Sequence, residues 1–341
     1  MKRLAELTLQ QHFHGLGEGF YAEHQPQGLQ HPSLTRANPA IGQQLGLDPA
    51  ECATDDFLQI FSGNALLPNS RPLAQAYAGH QFGHFNPFLG DGRAVLLGEV
   101  ETATGLLDIC LKGAGRTPYA RNADGRAGLD ECLHEYAITE QLAALGVPTT
   151  RCLCITQGSG LVYRSGFGPE AMLTRIAPSH IRFGTFENYH FQRNTKALRK
   201  LADYVIHWHF PHCAEAGEQR YAAFFQEVVL RAARLIAHWQ AVGFVHGVMN
   251  TDNQSILGLT LDVGLSGFTP ERDPACVINP ADEKGRYAFG QQPVVGLWNC
   301  NVLARALSSL IAADDLRSAL QTYEPEYLRH YAALTCSEPA V

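Results

Sequence analysis

Phe244–Gly264, FVHGVMNTDNQSILGLTLDVG, carries the densest set of chemistry-bearing residues in this 341-residue chain. The segment before it, Ala222–Gly243, places Phe225, Val228, Val229, Ala232, Leu235, Ile236 and Trp239 on one helical stripe and stops at a glycine. A helix therefore delivers the chain to His246-Gly247. Asn253 follows seven residues later. SILGLTLDVG then reads as a short apolar hairpin that presents Asp262.

Kinase-like phosphotransferases use H-G-D-x-x-x-x-N followed by a strand-borne Asp, where the first Asp is the base and the Asn and second Asp hold magnesium. Asn253 and Asp262 fit the two magnesium positions. Val248 stands at the base position and cannot take a proton, whereas Asp252 immediately precedes Asn253. An amide oxygen and a carboxylate suit magnesium, which wants hard ligands. Read alone, the segment is equally a capped turn, since Asn and Asp favour turns anyway.

Upstream, Arg93–Val100 and Leu106–Gly113 flank a T-A-T-G turn and predict a hairpin ending in Lys112, one of five lysines. LDECLHEYAITEQLAAL (Leu129–Leu145) predicts a helix carrying Glu135, where a kinase-type lysine would find its partner. A strand-end lysine reaching water is the simpler alternative. LGDGR (Leu89–Arg93), KGAGR (Lys112–Arg116) and ADGR (Ala123–Arg126) join loop glycines, which admit phosphate oxygens, to arginines, which grip them. Arg175 and Arg182 add cations from another segment. Each arginine by itself would pass as a surface residue beside a turn.

Three short strands are expected at Arg151–Thr156, Gly160–Arg164 and Ala171–Ile176. A last helical stretch is expected near Val302–Leu310, resuming after Asp314. Residues 1–75 read as loops with short helices, one around Pro39–Leu47. Strands early and helices late give an α+β class with a small sheet lobe and a helical lobe.

Composition narrows the function. With 45% hydrophobic residues, 17% charged residues and a net charge of −7, the chain is globular and offers no basic face for nucleic acid. Nine scattered cysteines without a C-x-x-C read as reduced thiols. No apolar leader or run long enough to span a bilayer is visible, so a cytoplasmic protein without membrane partners is expected. HWHFPHC (His207–Cys213) lacks the spacing of a helical zinc pair.

YAGHQFGHF (Tyr77–Phe85), LGDGRAVLLGE (Leu89–Glu99), LKGAGRTPY (Leu111–Tyr119), DGRA (Asp124–Ala127), LGVPTTR (Leu145–Arg151), RIAPSHIRFGTFE (Arg175–Glu187), HGVMNTDN (His246–Asn253), GRYAF (Gly285–Phe289) and QQP (Gln291–Pro293) together resemble the selenoprotein O (YdiU) family. The resemblance implies a protein-kinase-like bilobed fold: an N-terminal extension at 1–75, a nucleotide-binding N-lobe at 76–180 and a helical C-lobe at 181–341. It implies transfer of AMP, in some members UMP, from a nucleotide bound in flipped orientation to protein Ser, Thr or Tyr hydroxyls. Gly90, Gly92, Arg93, Lys112, Asp124, Gly125, Arg175, Arg182 and Asp262 match its nucleotide contacts, and Glu135 matches the partner of the lysine. Asp252 matches its general base. Asn253 and Asp262 match its magnesium or manganese ligands. An atypical kinase and a silent nucleotide-binding pseudoenzyme are the competing expectations.

Departures lie beside these positions: Val263 and Leu265 where a tyrosine and a proline are usual, Gln254 for a methionine, His134 for an arginine, and INPADE at Ile278–Glu283. Family members also continue further past the point where this chain ends, so the chain reads as C-terminally short.

Overall fold

The computed structural model describes residues 1–164 and 166–336. The chain divides into two compact units. The first comprises Met1–Ala76, Phe88–Glu140 and Thr150–His180; the second comprises Tyr77–Pro87, Gln141–Thr149 and the chain from Ile181 on.

The strands, in chain order, are β1 (Tyr21–Glu23), β2 (Ser33–Ala37), β3 (Leu73–Gln75), the β4 (Gly79–Gln81) and β5 (His84–Asn86) hairpin of the second unit, then β6 (Ala94–Thr102), β7 (Gly105–Lys112), β8 (Ala127–Gly128), β9 (Arg151–Tyr163) and β10 (Phe167–Ala177), followed in the second unit by the short antiparallel pair β11 (Phe244–Val245) and β12 (Gly267–Phe268). In the first unit an antiparallel sheet runs β1-β3-β6-β7-β10-β9-β2, with β8 on β10. Helices and an antiparallel sheet together make the class α+β, as the sequence implied. The β6–β7 hairpin forms with Thr102 opposite Gly105.

Side chains alternate across a strand, so β7 and β10 sort theirs between two cores. Ile109, Leu111, Met172 and Ile176 join Leu4, Leu7, Ile41, Leu47, Phe57 and Phe61 on one face. Cys132, Cys152, Ile155, Ala171 and Leu173 pack on the other with Leu133 and Tyr136 of α3 (Leu129–Ala144). Helices α1 (Pro39–Gln44) and α2 (Asp55–Phe61) lie among the first seventy-five residues. That stretch is less loop-like than its composition suggested, because it also supplies β1, β2 and β3.

Two of the three expected strands are one. β9 continues through Gly158 and Gly160, joining the strands expected at Arg151–Thr156 and Gly160–Arg164. A Cβ at Gly158 would lie 2.8 Å from Glu170 Oε1, and one at Gly160 2.6 Å from it. Glu170 sits where the β9–β10 register shifts and lays its side chain across both residues. The glycines mark a close approach inside a strand, not a turn.

The second unit is mainly helical: α4 (Phe183–Phe191), α5 (Thr195–His209), α6 (Arg220–Val242), α7 (Gln292–Leu307), α8 (Ala313–Gln321) and α9 (Tyr323–Thr335). α6 buries Phe225, Val228, Val229, Ala232, Ile236 and Trp239, the stripe read from sequence. It ends at Gly243 (φ +71°), where a Cβ would meet the Thr269 carbonyl oxygen at 2.6 Å. α7 starts ten residues before the expected Val302, because Pro293 sits in its first turn, where no N–H is needed.

The SILGLTLDVG hairpin does not form. Its two arms bridge to different neighbours: Ile256 N–H donates to the Ile181 carbonyl at 3.1 Å, and Thr260 N–H to the Pro148 carbonyl at 2.9 Å. Period-2 apolarity is satisfied by burial here without mutual pairing. Among the described residues, no helix is long and apolar enough to cross a membrane.

On the β6–β7 hairpin, Glu99 stands opposite Asp108. Its carboxylate accepts the Phe13 and His12 N–H groups at 2.8 and 3.1 Å. Burial, then the Asp108 charge, pushes Glu99 up to about 8. A carboxyl raised on folding stabilises most below its unfolded pKa, and that contribution is lost as pH rises through the folded value. The thermal midpoint should therefore fall between pH 5 and pH 8, and Glu99→Gln should flatten that fall. An unchanged slope in the variant would rule Glu99 out as the cause.

Candidate active site

Two clusters of charged side chains stand out, one in each unit. In the first, alternation along β7 and β10 turns Lys112 and Arg175 toward α3. Register pairs Lys112 with Leu173 and Arg175 with Cys110, so both cations lie on the same face of adjacent strands. Glu131 and Glu135 are four apart on α3 and so share a helix face. Lys112 Nζ lies 2.5 Å from Glu135 Oε2 and 3.2 Å from Glu131 Oε1. Arg175 Nε donates to the other Glu135 oxygen. Arg93 donates to both oxygens of Glu131, at 3.0 and 2.5 Å.

Burial alone would raise both glutamates. Arg175 and Lys112 overcome it at Glu135 and hold that carboxyl below its usual range. Lys112 and Arg93 do the same at Glu131, which falls to about 2. Both stay ionised, and Lys112, Arg175 and Arg93 share them. The sequence reading found Lys112, Glu135, Arg93 and Arg175 but missed Glu131. Its i,i+4 spacing from Glu135 was the available signal.

The glycines of the nearby loops have packing reasons of their own. Gly90 (φ +130°) faces Tyr119, whose ring a Cβ would strike at 2.5 Å. Gly92 lies against Ala120. Asp91 ties this loop down by accepting the Gln75 N–H at 3.1 Å. Gly125 packs on the Gly115 backbone. Asp124 pairs with Arg164, whose hydrogen bonds lower its pKa, and accepts the Arg126 N–H at 2.9 Å.

The second cluster grows from the end of α6. His246 is fully buried, with Nε2 2.9 Å from the Leu261 carbonyl oxygen and its N–H donated to Gln292 Oε1 at 2.9 Å. Burial lowers its pKa, so it acts as a neutral strut. Asn253 donates Nδ2–H to the Val248 carbonyl at 3.1 Å, which leaves Oδ1 as its acceptor atom. Arg182 donates to the Asp252 carbonyl oxygen at 2.8 Å and also to the Asp262 carboxylate. Its guanidinium lies over the Tyr77 ring. Asp262 has φ +59°, a left-handed conformation that non-glycine residues adopt rarely and Asp more readily than most.

Asp252 is 7% exposed, and burial pushes it up to about 6. Gln81 donates to Asp252 Oδ2 at 3.1 Å, while Oδ1 has no hydrogen-bond partner among the described residues. The β4–β5 hairpin braces this loop further. His80 N–H donates to Thr251 Oγ1 at 2.7 Å, and Phe82 N–H to Asn250 Oδ1 at 3.2 Å. Tyr287 hydroxyl donates to the same Asn250 oxygen at 2.6 Å. Gln81, Asn250 and Tyr287 escaped the sequence reading, since nothing in their spacing ties three distant segments together.

The donor set fits a hard cation with few protein ligands. Asn253 Oδ1 and the Asp262 carboxylate are both oxygens. Among the described residues, no group of three or more His, Cys, Asp or Glu could hold a metal. Phosphates and water would complete the shell.

Residues 3–338 match the family model described as protein adenylyltransferase SelO. A protein of Myxococcus xanthus named protein nucleotidyltransferase YdiU is 49% identical over 97% of this chain and 68% of its own length. Proteins of the same name from Pseudomonas fluorescens and Chromohalobacter salexigens are 44% and 49% identical, over 98% and 94% of the chain and 69% and 65% of their own lengths. The chain thus spans about two thirds of the length of these relatives.

Replacing Glu135 by alanine would leave Lys112 and Arg175 buried without their shared carboxylate. Removing one partner of a buried pair costs about 3–5 kcal/mol. Denaturant unfolding of Glu135→Ala should show a loss of that order, and a loss below about 1 kcal/mol would refute this account of the cluster.

Proposed function

The chain belongs to the protein adenylyltransferase SelO family, and from that membership we propose that it transfers AMP from ATP to Ser, Thr or Tyr hydroxyls of proteins, releasing pyrophosphate. The observation that carries the reading is the pair Val248 and Asp252. The position of a kinase base holds an apolar side chain, and a buried carboxylate with a raised pKa stands four residues on.

In this reading the substrate hydroxyl attacks the α-phosphorus, the bond from that phosphorus to the α–β bridging oxygen breaks, and the hydroxyl proton passes to Asp252. A carboxylate near 6 is a better proton acceptor than a solvated one while staying largely ionised at neutral pH. Arg93, Lys112 and Arg175 would neutralise phosphate oxygens. Gly90, Gly92, Asp124 and Gly125 would shape the loops that border the nucleotide. Arg182 would hold Asp262 in place and meet a phosphate when the carboxylate turns to its cation. Asn253 and Asp262 would hold magnesium or manganese, which would supply a hard positive charge to the leaving phosphates.

The same reading assigns the two units to the small and large lobes of a protein-kinase-like fold. Support comes from the strand-lysine to helix-glutamate pair in one and the His246–Asn253–Asp262 order in the other. A boundary between residues 180 and 181 is proposed on that analogy, with Tyr77–Pro87 and Gln141–Thr149 joining the second unit rather than the 76–180 lobe expected from sequence. The cysteines of the described chain are free thiols, which supports a cytoplasmic site of action.

ATP labelled on the α- or the γ-phosphate, incubated with magnesium and a protein mixture, tests the reaction. Label from the α position should enter protein, and Asp252→Asn should slow its entry by about 10²–10⁴-fold. Asp262→Ala should abolish it. Transfer of γ label alone would make the chain a kinase, and binding of ATP with no transfer would make it a pseudoenzyme.

A further inference from the structure

The second unit contains a cavity of about 220 Å³, lined by His80, His190, Phe191, Trp298, Asn301 and Arg305 among others. Four of the lining residues carry rings. His80 stands edge-on to Trp298 at 5.5 Å between centroids and 6.1 Å from Phe191. Phe85 stacks behind Phe191 at 3.6 Å.

Aromatic boxes commonly receive cations. Here two guanidiniums already lie over the rings: Arg305 is 5.6 Å from the Phe191 centroid, and Arg286 is 4.6 Å from that of Trp298. Neither guanidinium is paired with a carboxylate among the described residues, although the Arg286 backbone N–H donates to Asp282 Oδ1 at 2.9 Å. Among the described residues, no acidic side chain lines the cavity. The Glu187 carboxylate is fully buried and takes up His80 Nδ1 at 2.5 Å. The surroundings therefore repel a cation and attract an anion, in a chain whose overall charge is −7. A cavity of about 150 Å³ holds benzene, so the extra volume here suits one ring with a small substituent.

We propose that this cavity is a binding site for a single aromatic ring bearing a phosphate or carboxylate, with the ring against Trp298 and Phe191 and the anion on Arg305. A guanidinium with no carboxylate to answer is free to grip such a group in bidentate fashion. The inference stands on the second unit alone and does not depend on the transfer reaction. The cavity is nevertheless joined to the proposed catalytic loop, because His80 lines it and donates its N–H to Thr251.

Titration of the full chain with phenyl phosphate, without ATP or metal and followed by tryptophan fluorescence and calorimetry, tests the site. Saturable binding is expected, weakened at least tenfold by Arg305→Met and restored in part by Arg305→Lys. Inorganic phosphate alone and phenol alone should each bind at least tenfold more weakly than phenyl phosphate. Val302→Phe, which fills the cavity without touching a charge, should abolish binding in protein whose thermal midpoint shows it to be folded. No saturable binding, equal binding of inorganic phosphate, or affinity unchanged in both Arg305→Met and Val302→Phe would each overturn the assignment. Loss of AMP transfer with binding intact would count against the transferase reading only.

Discussion

The Glu135 carboxylate is the point on which the first unit's chemistry hangs. One oxygen takes Lys112 from β7 and the other takes Arg175 from β10. That geometry needs two periodicities to agree. Alternation must bring residues 112 and 175 to the same sheet face, and the helix must present residue 135 at their height. A slip of one residue in the β7–β10 pairing would turn one cation into the opposite core, among Ile109 and Met172. Buried ion pairs contribute little net stability compared with apolar packing. The cost of keeping this one makes sense where positive charge has to be held in a fixed place.

Arg182 performs a comparable task in the second unit, with main chain as one of its partners. It links the Asp252 carbonyl to the Asp262 side chain, so residues ten apart in sequence share one cation. The flanking strut is His246, neutral and buried, which anchors to Leu261 immediately before Asp262. These bonds explain how Asp262 can sit at positive φ: the residues around it are fixed from two sides, and its own backbone takes up the difference.

Much of this was legible from residue order alone. The β6–β7 hairpin, α3 and α6 announced themselves because each buries one regular face, and regular burial leaves a period in the sequence. Lys112, Glu135, Asn253 and Asp262 stood out through residue type at motif spacing. What stayed hidden depends on contacts between distant segments. β9 was expected as two strands because the Glu170 side chain that packs on Gly158 and Gly160 lies on another strand. The Ser255–Gly264 segment looked like a hairpin because apolar alternation reports burial and is silent about which backbone satisfies the hydrogen bonds. Gln81 and Tyr287 reach the Asn250–Asp252 loop from 171 and 37 residues away, beyond the reach of any local pattern.

The bond between His246 and the Leu261 carbonyl closes the intervening chain into a ring. Within a closed ring, residue number is conserved by geometry: one added or deleted residue would displace Asn253 and Asp262 together or break the closure. The Thr102–Gly105 turn is closed by local bonds, Thr102 Oγ1–H donating to the Gly105 carbonyl at 2.8 Å, and positions no side chain of the site. Length changes over evolutionary time should therefore accumulate at that turn and be absent between residues 246 and 261, whatever happens to the identity of the side chains.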